Sequence, residues 1–144
     1  MRKNVKKQLA LRVLSTAALV AMVSSIATAA FAAEYNVAEG SVEIVAKNGS
    51  QSITQWEDKD KGTFVKDENG DNIDHRPDSK IVLVTKDETT GETKPTSNTV
   101  TITAEEKGDT ANVTLQDVNI EVDTSEAKSG AIEIKGDGNT NLEL

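Results

Sequence analysis

Residues 99–144 read TVTITAEEKGDTANVTLQDVNIEVDTSEAKSGAIEIKGDGNTNLEL. Aliphatic residues here recur with a period of two: Val100 and Ile102, Val113 and Leu115, Val118, Ile120 and Val122, Ile132 and Ile134, Leu142 and Leu144. Between them stand Thr, Glu and Asn, so each short run has one apolar and one polar face, as in half-buried strands. The runs are separated by polar turns such as Glu105-Glu106-Lys107-Gly108-Asp109 and Lys135-Gly136-Asp137-Gly138-Asn139. Val113 and Leu115 share one face, whereas Val118, Ile120 and Val122 continue one residue out of phase. Keeping both sets inward requires a bulge or corner near Asp117.

Upstream the same alternation returns at Val42-Glu43-Ile44, and Ile81-Val82-Leu83-Val84 is a continuous apolar run of the kind found in strands covered on both sides. No stretch after Ala33 has helical spacing. An all-β chain is expected. Short aliphatic strands that meet at polar corners point to the start of a right-handed parallel β-helix, a solenoid in which inward aliphatics stack from coil to coil. An antiparallel β-sandwich, which also repeats short strands at regular intervals, is the alternative.

Residues 55–80, QWEDKDKGTFVKDENGDNIDHRPDSK, and 86–98, KDETTGETKPTSN, are dense in charge and turn formers. They read as loops, with Thr63-Phe64-Val65 as the single strand of the first. The expected organisation is a secretory signal peptide over 1–32, a strand and loop-rich segment over 33–98, and β-helix coils over 99–144. Because Asn141-Leu142-Glu143-Leu144 ends on inward aliphatics, the coils are expected to be the N-terminal part of a longer protein, unless this is an edge strand paired elsewhere.

The leader has its own logic. Arg2, Lys3, Lys6, Lys7 and Arg12 precede an uncharged stretch over 13–30, and Ala30-Phe31-Ala32 has small residues where a signal peptidase reads. Cleavage between Ala32 and Ala33 is expected, and with it secretion or display at the cell surface. A membrane anchor is the competing reading, since 13–33 nearly spans a bilayer. Its Ala, Ser and Thr content and its acidic flank favour the signal.

The 144-residue chain carries 24 acidic and 16 basic side chains, and five of the basic ones lie in the leader. The remainder is strongly acidic, a charge that repels phosphate backbones and anionic lipid, so neither nucleic acid nor a membrane, once the signal is removed, is expected as partner. Four aromatics among Phe, Tyr and Trp leave little with which to line a deep apolar pocket. With no cysteine, no disulfide holds the exported chain, and stability must come from packing or bound metal.

Candidate site residues are few. Asp67, Asn69 and Asp71 alternate, the Ile73 carbonyl follows, and Asp78 falls where the last oxygen of a Ca²⁺-wrapping loop would stand. Against this, Asn72 occupies the position of the turn-making glycine, and a solvated turn with Asn69-Gly70 at a hairpin tip explains the same residues. Asp58 and Asp60 are weaker company. His75-Arg76 has the residue types of a polyuronide lyase base, but it adjoins Pro77 in a polar loop, and a surface turn is the simpler account. Trp56, Tyr35 and Phe64 could stack on sugar rings or plug a core, and Trp56, in its charged setting, is the one singled out for carbohydrate stacking. With no G-x-S-x-G and no zinc-ligand spacing, no catalytic residue is assigned and no enzyme is expected.

Asn112 to Val122 (NVTLQDVNIEV), the return Ser129-Gly130-Ala131-Ile132-Glu133-Ile134, the strand from Gly136 to Leu144 and the opening Gly40-Ser41-Val42-Glu43-Ile44 carry a likeness. They resemble the first coils of secreted β-helix proteins of clostridia-type Gram-positive bacteria described as carbohydrate-binding domain-containing proteins. The resemblance implies a right-handed β-helix, an extracellular place and polysaccharide or surface glycan as partner. It transfers no binding residue. Non-enzymatic polysaccharide binding or adhesion is therefore the expected function, with a structural stalk or capping module, or an inactive or partial polysaccharide lyase, as alternatives.

Overall fold

The computed structural model describes residues 32–123, 125 and 130–144. The leader over 1–31, including Ala30 of the cleavage site, lies outside the described residues, as do Thr124 and residues 126–129. The described chain is all-β and has ten strands: β1 (Ala33–Asn36), β2 (Ser41–Lys47), β3 (Ser50–Asp58), β4 (Thr63–Phe64), β5 (Arg76–Pro77), β6 (Ile81–Val84), β7 (Val100–Ala104), β8 (Thr110–Leu115), β9 (Ile132–Lys135) and β10 (Asn139–Glu143). Among the described residues no helix is long and apolar enough to cross a membrane.

The strands form two sheets. One has the order β1-β6-β8-β10, with every neighbouring pair parallel. The other runs β4-β3-β2-β7-β9; β2, β7 and β9 are mutually parallel, and β3 lies antiparallel on the outer edge of β2. From β6 to β10 successive strands alternate between the sheets. Parallel neighbours cannot be joined by a tight hairpin, so the chain crosses to the opposite sheet before it returns. A single parallel bridge, Thr96 to Ile120, joins the connecting segments. The expected strand over 118–122 is reduced to that one bridge, and Asp117, at φ 53°, makes the turn out of β8.

Register converts the alternation of the sequence into columns. Val42, Val100 and Ile132 face one another across β2, β7 and β9, and Ile44, Ile102 and Ile134 form the next column. In the other sheet Ile81 faces Val113, which faces Leu142. The inner members are dry: Ile44, Ile102, Val100 and Leu83 have no solvent exposure. Burying such a side chain is worth about 1.5–3 kcal/mol, so these columns are the main favourable term of the fold. Exposure rises along each column towards β9 and β10, where Ile134 is 54% and Leu142 38% exposed.

The far edge of β2 is closed differently. Asn48 and Gly49 both take positive φ (53° and 76°), the conformation of a two-residue hairpin turn, and send β3 back along β2. Ile53 of β3 sits opposite Ile44 and is fully buried, and Val65 and Ile73 from the following loop join the same core. β3 has two buried glutamines in place of further aliphatics. Gln55 Nε2 donates to the carbonyls of Asn36 (2.7 Å) and Gly40 (3.1 Å). Gln51 Nε2 donates to Asp78 O (2.9 Å), while its Oε1 accepts from Asn112 N (2.6 Å). These amides satisfy backbone groups that would otherwise be stranded inside, so polar side chains are stable at core positions here.

Candidate functional site

The acidic loop after β4 is a hairpin whose strands meet through an Ile73 N to Val65 O hydrogen bond of 2.9 Å and a Lys66–Asn72 bridge. At its tip Asp67 Oδ1 accepts from the backbone N–H of Asn69 and of Asp71, both at 2.8 Å, and Oδ2 pairs with Arg76 at 2.9 Å. These bonds, the Asp71 amide first, hold the Asp67 carboxyl below the usual carboxylate range. Asp78 is committed elsewhere: Oδ2 accepts from Tyr35 Oη (2.8 Å) and Oδ1 from Lys80 N (2.9 Å). Asn69 and Asp71 are exposed on the turn. Among the described residues no three His, Cys, Asp or Glu side chains are gathered as a metal would need. The Asp67 carboxylate thus caps the backbone of its own turn and pairs with Arg76.

His75 is exposed, with Nδ1 2.6 Å from Asp74 Oδ1, and Arg76 is taken up by Asp67 and by the Asn72 carbonyl at 3.3 Å. Burial, followed by the Asp78 hydrogen bond, pushes the Tyr35 phenol well above its ordinary value. Tyr35 is a core plug with a tethered hydroxyl. Ala32 and Ala33 lie at the start of β1, Ala33 paired with Ile81.

Trp56 lies on the outward side of β3 and is half-buried. Its ring stacks on Phe64 at a centroid separation of 4.6 Å and 29° between planes, and Lys59 Nζ stands 5.7 Å from its centroid. Nε1 donates to Glu43 Oε1 at 3.4 Å. Beyond this corner the outer face of the sheet continues as Glu43, Thr101 and Glu133, three adjacent residues in register. Strand pairing thus places an aromatic pair beside a flat row of hydroxyl and carboxylate groups.

A second feature was not legible in the sequence. A cleft of about 440 Å³ opens beside β1, lined in part by Glu39, Glu88, Asn36, Lys86 and Arg76. Asn36 Nδ2 donates to Glu88 Oε2 (3.0 Å), Glu39 Oε2 (3.3 Å) and the Lys86 carbonyl (2.9 Å). Partial burial, then the hydrogen bond shared with Glu88, raises Glu39 from 4.5 to about 7, while the same bond lowers Glu88. The Asn36 amide thus gathers the two carboxyls around one donor group. The pair is far separated in sequence, and no local pattern announces it.

Its pH dependence has a definite sign. The folded state holds the Glu39 proton more tightly than the unfolded chain, so this contribution is complete below pH 4.5 and is lost as pH rises through about 7. Glu39 is exposed, and water screening limits the effect to about 1 kcal/mol or less. Glu39→Gln is expected to flatten the stability profile between pH 5 and pH 8, read from urea midpoints at the two values. An equally steep profile in the variant would assign the dependence to other groups.

No known protein family, curated protein or solved structure matches this chain.

Proposed function

We propose that the chain is an exported, non-enzymatic polysaccharide-binding module built on the first coils of a right-handed parallel β-helix. The solenoid assignment is supported by the wholly parallel sheet β1-β6-β8-β10 and by the alternation of successive strands between sheets. What favours a glycan as ligand is the outer face carrying Trp56, Phe64, Glu43, Thr101 and Glu133. A flat surface with an aromatic platform at one end and a row of acceptors alongside suits the apolar faces and hydroxyls of an extended sugar chain, and its shallowness suits binding rather than catalysis. The signal-like leader and the likeness to carbohydrate-binding β-helix proteins point the same way.

Co-sedimentation with insoluble polysaccharides tests the reading. Trp56→Ala is expected to weaken retention about tenfold, the value of roughly 1.4 kcal/mol of lost stacking. Because the acidic loop is closed by its own hydrogen bonds, chelator is expected to leave binding unchanged. Retention unaffected by the Trp56 substitution would remove this face as the site.

The second reading, a structural capping module with no ligand of its own, is favoured by a different observation. β3 closes the edge of β2 with Ile53, Gln51 and Gln55, as a solenoid terminus needs if it is to stay soluble. Absence of retention on every polysaccharide, with the fold intact, would select it.

A further inference from the structure

Trp56 is boxed in by its neighbours on the outward side of β3. It pairs with Phe64 of β4, whose ring stacks against one of its faces at 4.6 Å. On the other flank Glu43 of β2 is its diagonal neighbour, since Glu43 pairs with Thr54 and Ser41 with Trp56. The Glu43 carboxylate takes the indole N–H at 3.4 Å.

The turn after β3 brings a cation back to this ring. Asp58 Oδ1 accepts from the backbone N–H of Asp60 (3.1 Å) and of Lys61 (3.2 Å), and Gly62 N donates to Lys59 O at 3.2 Å, with Gly62 at φ 71°. The chain is thereby folded back over 59–62, and Lys59 Nζ stands over the indole, 5.7 Å from its centroid. Phe64 fills one face of the ring, so the ammonium lies on the other. The same ammonium is 3.7 Å from Glu43 Oε1, the oxygen that the indole N–H already uses. Lys59, Glu43 and Trp56 thus form a closed triangle of contacts, and the ring face that a sugar needs is the one under the lysine.

This hold is light. The side chains of Lys59 and Glu43 are 63% and 36% exposed. An exposed cation–π contact and an exposed ion pair are each small and weakened by salt, but both draw the lysine towards the ring. A sugar laid along the indole makes a broader contact than one ammonium, and the flexible stem of lysine lets the charge move aside without moving the backbone.

We infer that Lys59 is a lid on the Trp56 platform, latched by Glu43, which covers the stacking face in the free protein and swings away when a sugar ring takes its place. The inference rests on the glycan reading above and adds to it the residue that sets affinity.

Trp56 is the single tryptophan of the chain, so its fluorescence reports the lid without any ligand. Quenching by the neutral molecule acrylamide is expected to increase in Lys59→Gln, which keeps most of the side chain's length but not its charge. Raising salt to about 1 M is expected to increase quenching in the unchanged chain and not in this variant. Lys59→Arg is expected to keep quenching low, and Lys107→Met, which removes an exposed positive charge elsewhere, to leave it unchanged. Retention on insoluble polysaccharide is expected to tighten about three- to tenfold in Lys59→Gln, through loss of one exposed cation–π contact and one exposed ion pair. Equal quenching of the unchanged and Lys59→Gln chains, or weaker retention of the variant, would overturn the lid. Absence of retention in every form would overturn the glycan reading instead, and the quenching comparison would still decide whether Lys59 covers the ring.

Discussion

Ile102→Ala is expected to lower the free energy of unfolding by about 3–4 kcal/mol, and Ile134→Ala by less than about 1 kcal/mol, although the two residues stand in the same column of the same sheet. Ile102 has no solvent exposure and is flanked by Ile44 on β2 and Ile134 on β9, so truncation removes three carbons from a closed space that its neighbours cannot refill. Ile134 is more than half exposed, and its truncation leaves a surface notch open to water. A small domain has only about 5–15 kcal/mol in hand, so the first substitution consumes a large share of it. Urea unfolding of both variants, followed by circular dichroism at low protein concentration, measures the difference. Equal losses would mean that the column is not graded in burial as described.

Gly136→Ala has the second large effect. Gly136 follows β9 directly with φ +94°, a region that L side chains rarely adopt, and an added Cβ would stand 1.9 Å from the carbonyl oxygen of Ala104 and 2.7 Å from its carbon. Both obstacles are backbone, so no rotamer change relieves them. Gly49 separates the two costs: its φ is +76°, but nothing lies within 4 Å of the added carbon. Gly49→Ala is expected to cost about 1–2 kcal/mol from backbone conformation alone. Gly136→Ala is expected to exceed that by at least about 2 kcal/mol and to detach the β9–β10 turn from β7, visible as a new site of limited proteolysis after β9. Similar melting temperatures for the two variants would contradict the close approach to Ala104.

The inner columns could be read in advance because each depends on one local property, an aliphatic at every second position, which parallel register then superposes. β3 could not. Of its nine residues, SQSITQWED, only Ile53 is aliphatic, and the glutamines that occupy its other inward positions look like surface residues until the backbone carbonyls of Asn36, Gly40 and Asp78 are seen to need donors. The 118–122 run failed for the opposite reason. Its alternation is regular, but after the turn at Asp117 only Ile120 finds a strand partner, in Thr96. Oxygen spacing in the 67–78 loop was visible, yet a linear sequence does not show that Asp67 is bound to its own backbone and to Arg76, or that Asp78 serves Tyr35. The Glu39–Glu88 pair arises from the meeting of β1 with the segment after β6, and only the parallel pairing of those strands brings it about.

The reversal of β3 against β2 also gives the molecule a direction of wear. Anchored at its β2 side by Ile53 and the glutamines, the β4-β3-β2-β7-β9 sheet is held more firmly there than at β9, whose Ile134 is exposed, so thermal breathing in this sheet should reach β9 before β2. Amide protection would then decline like a gradient along the stack, and a protease or a pulling force would find the same loose thread.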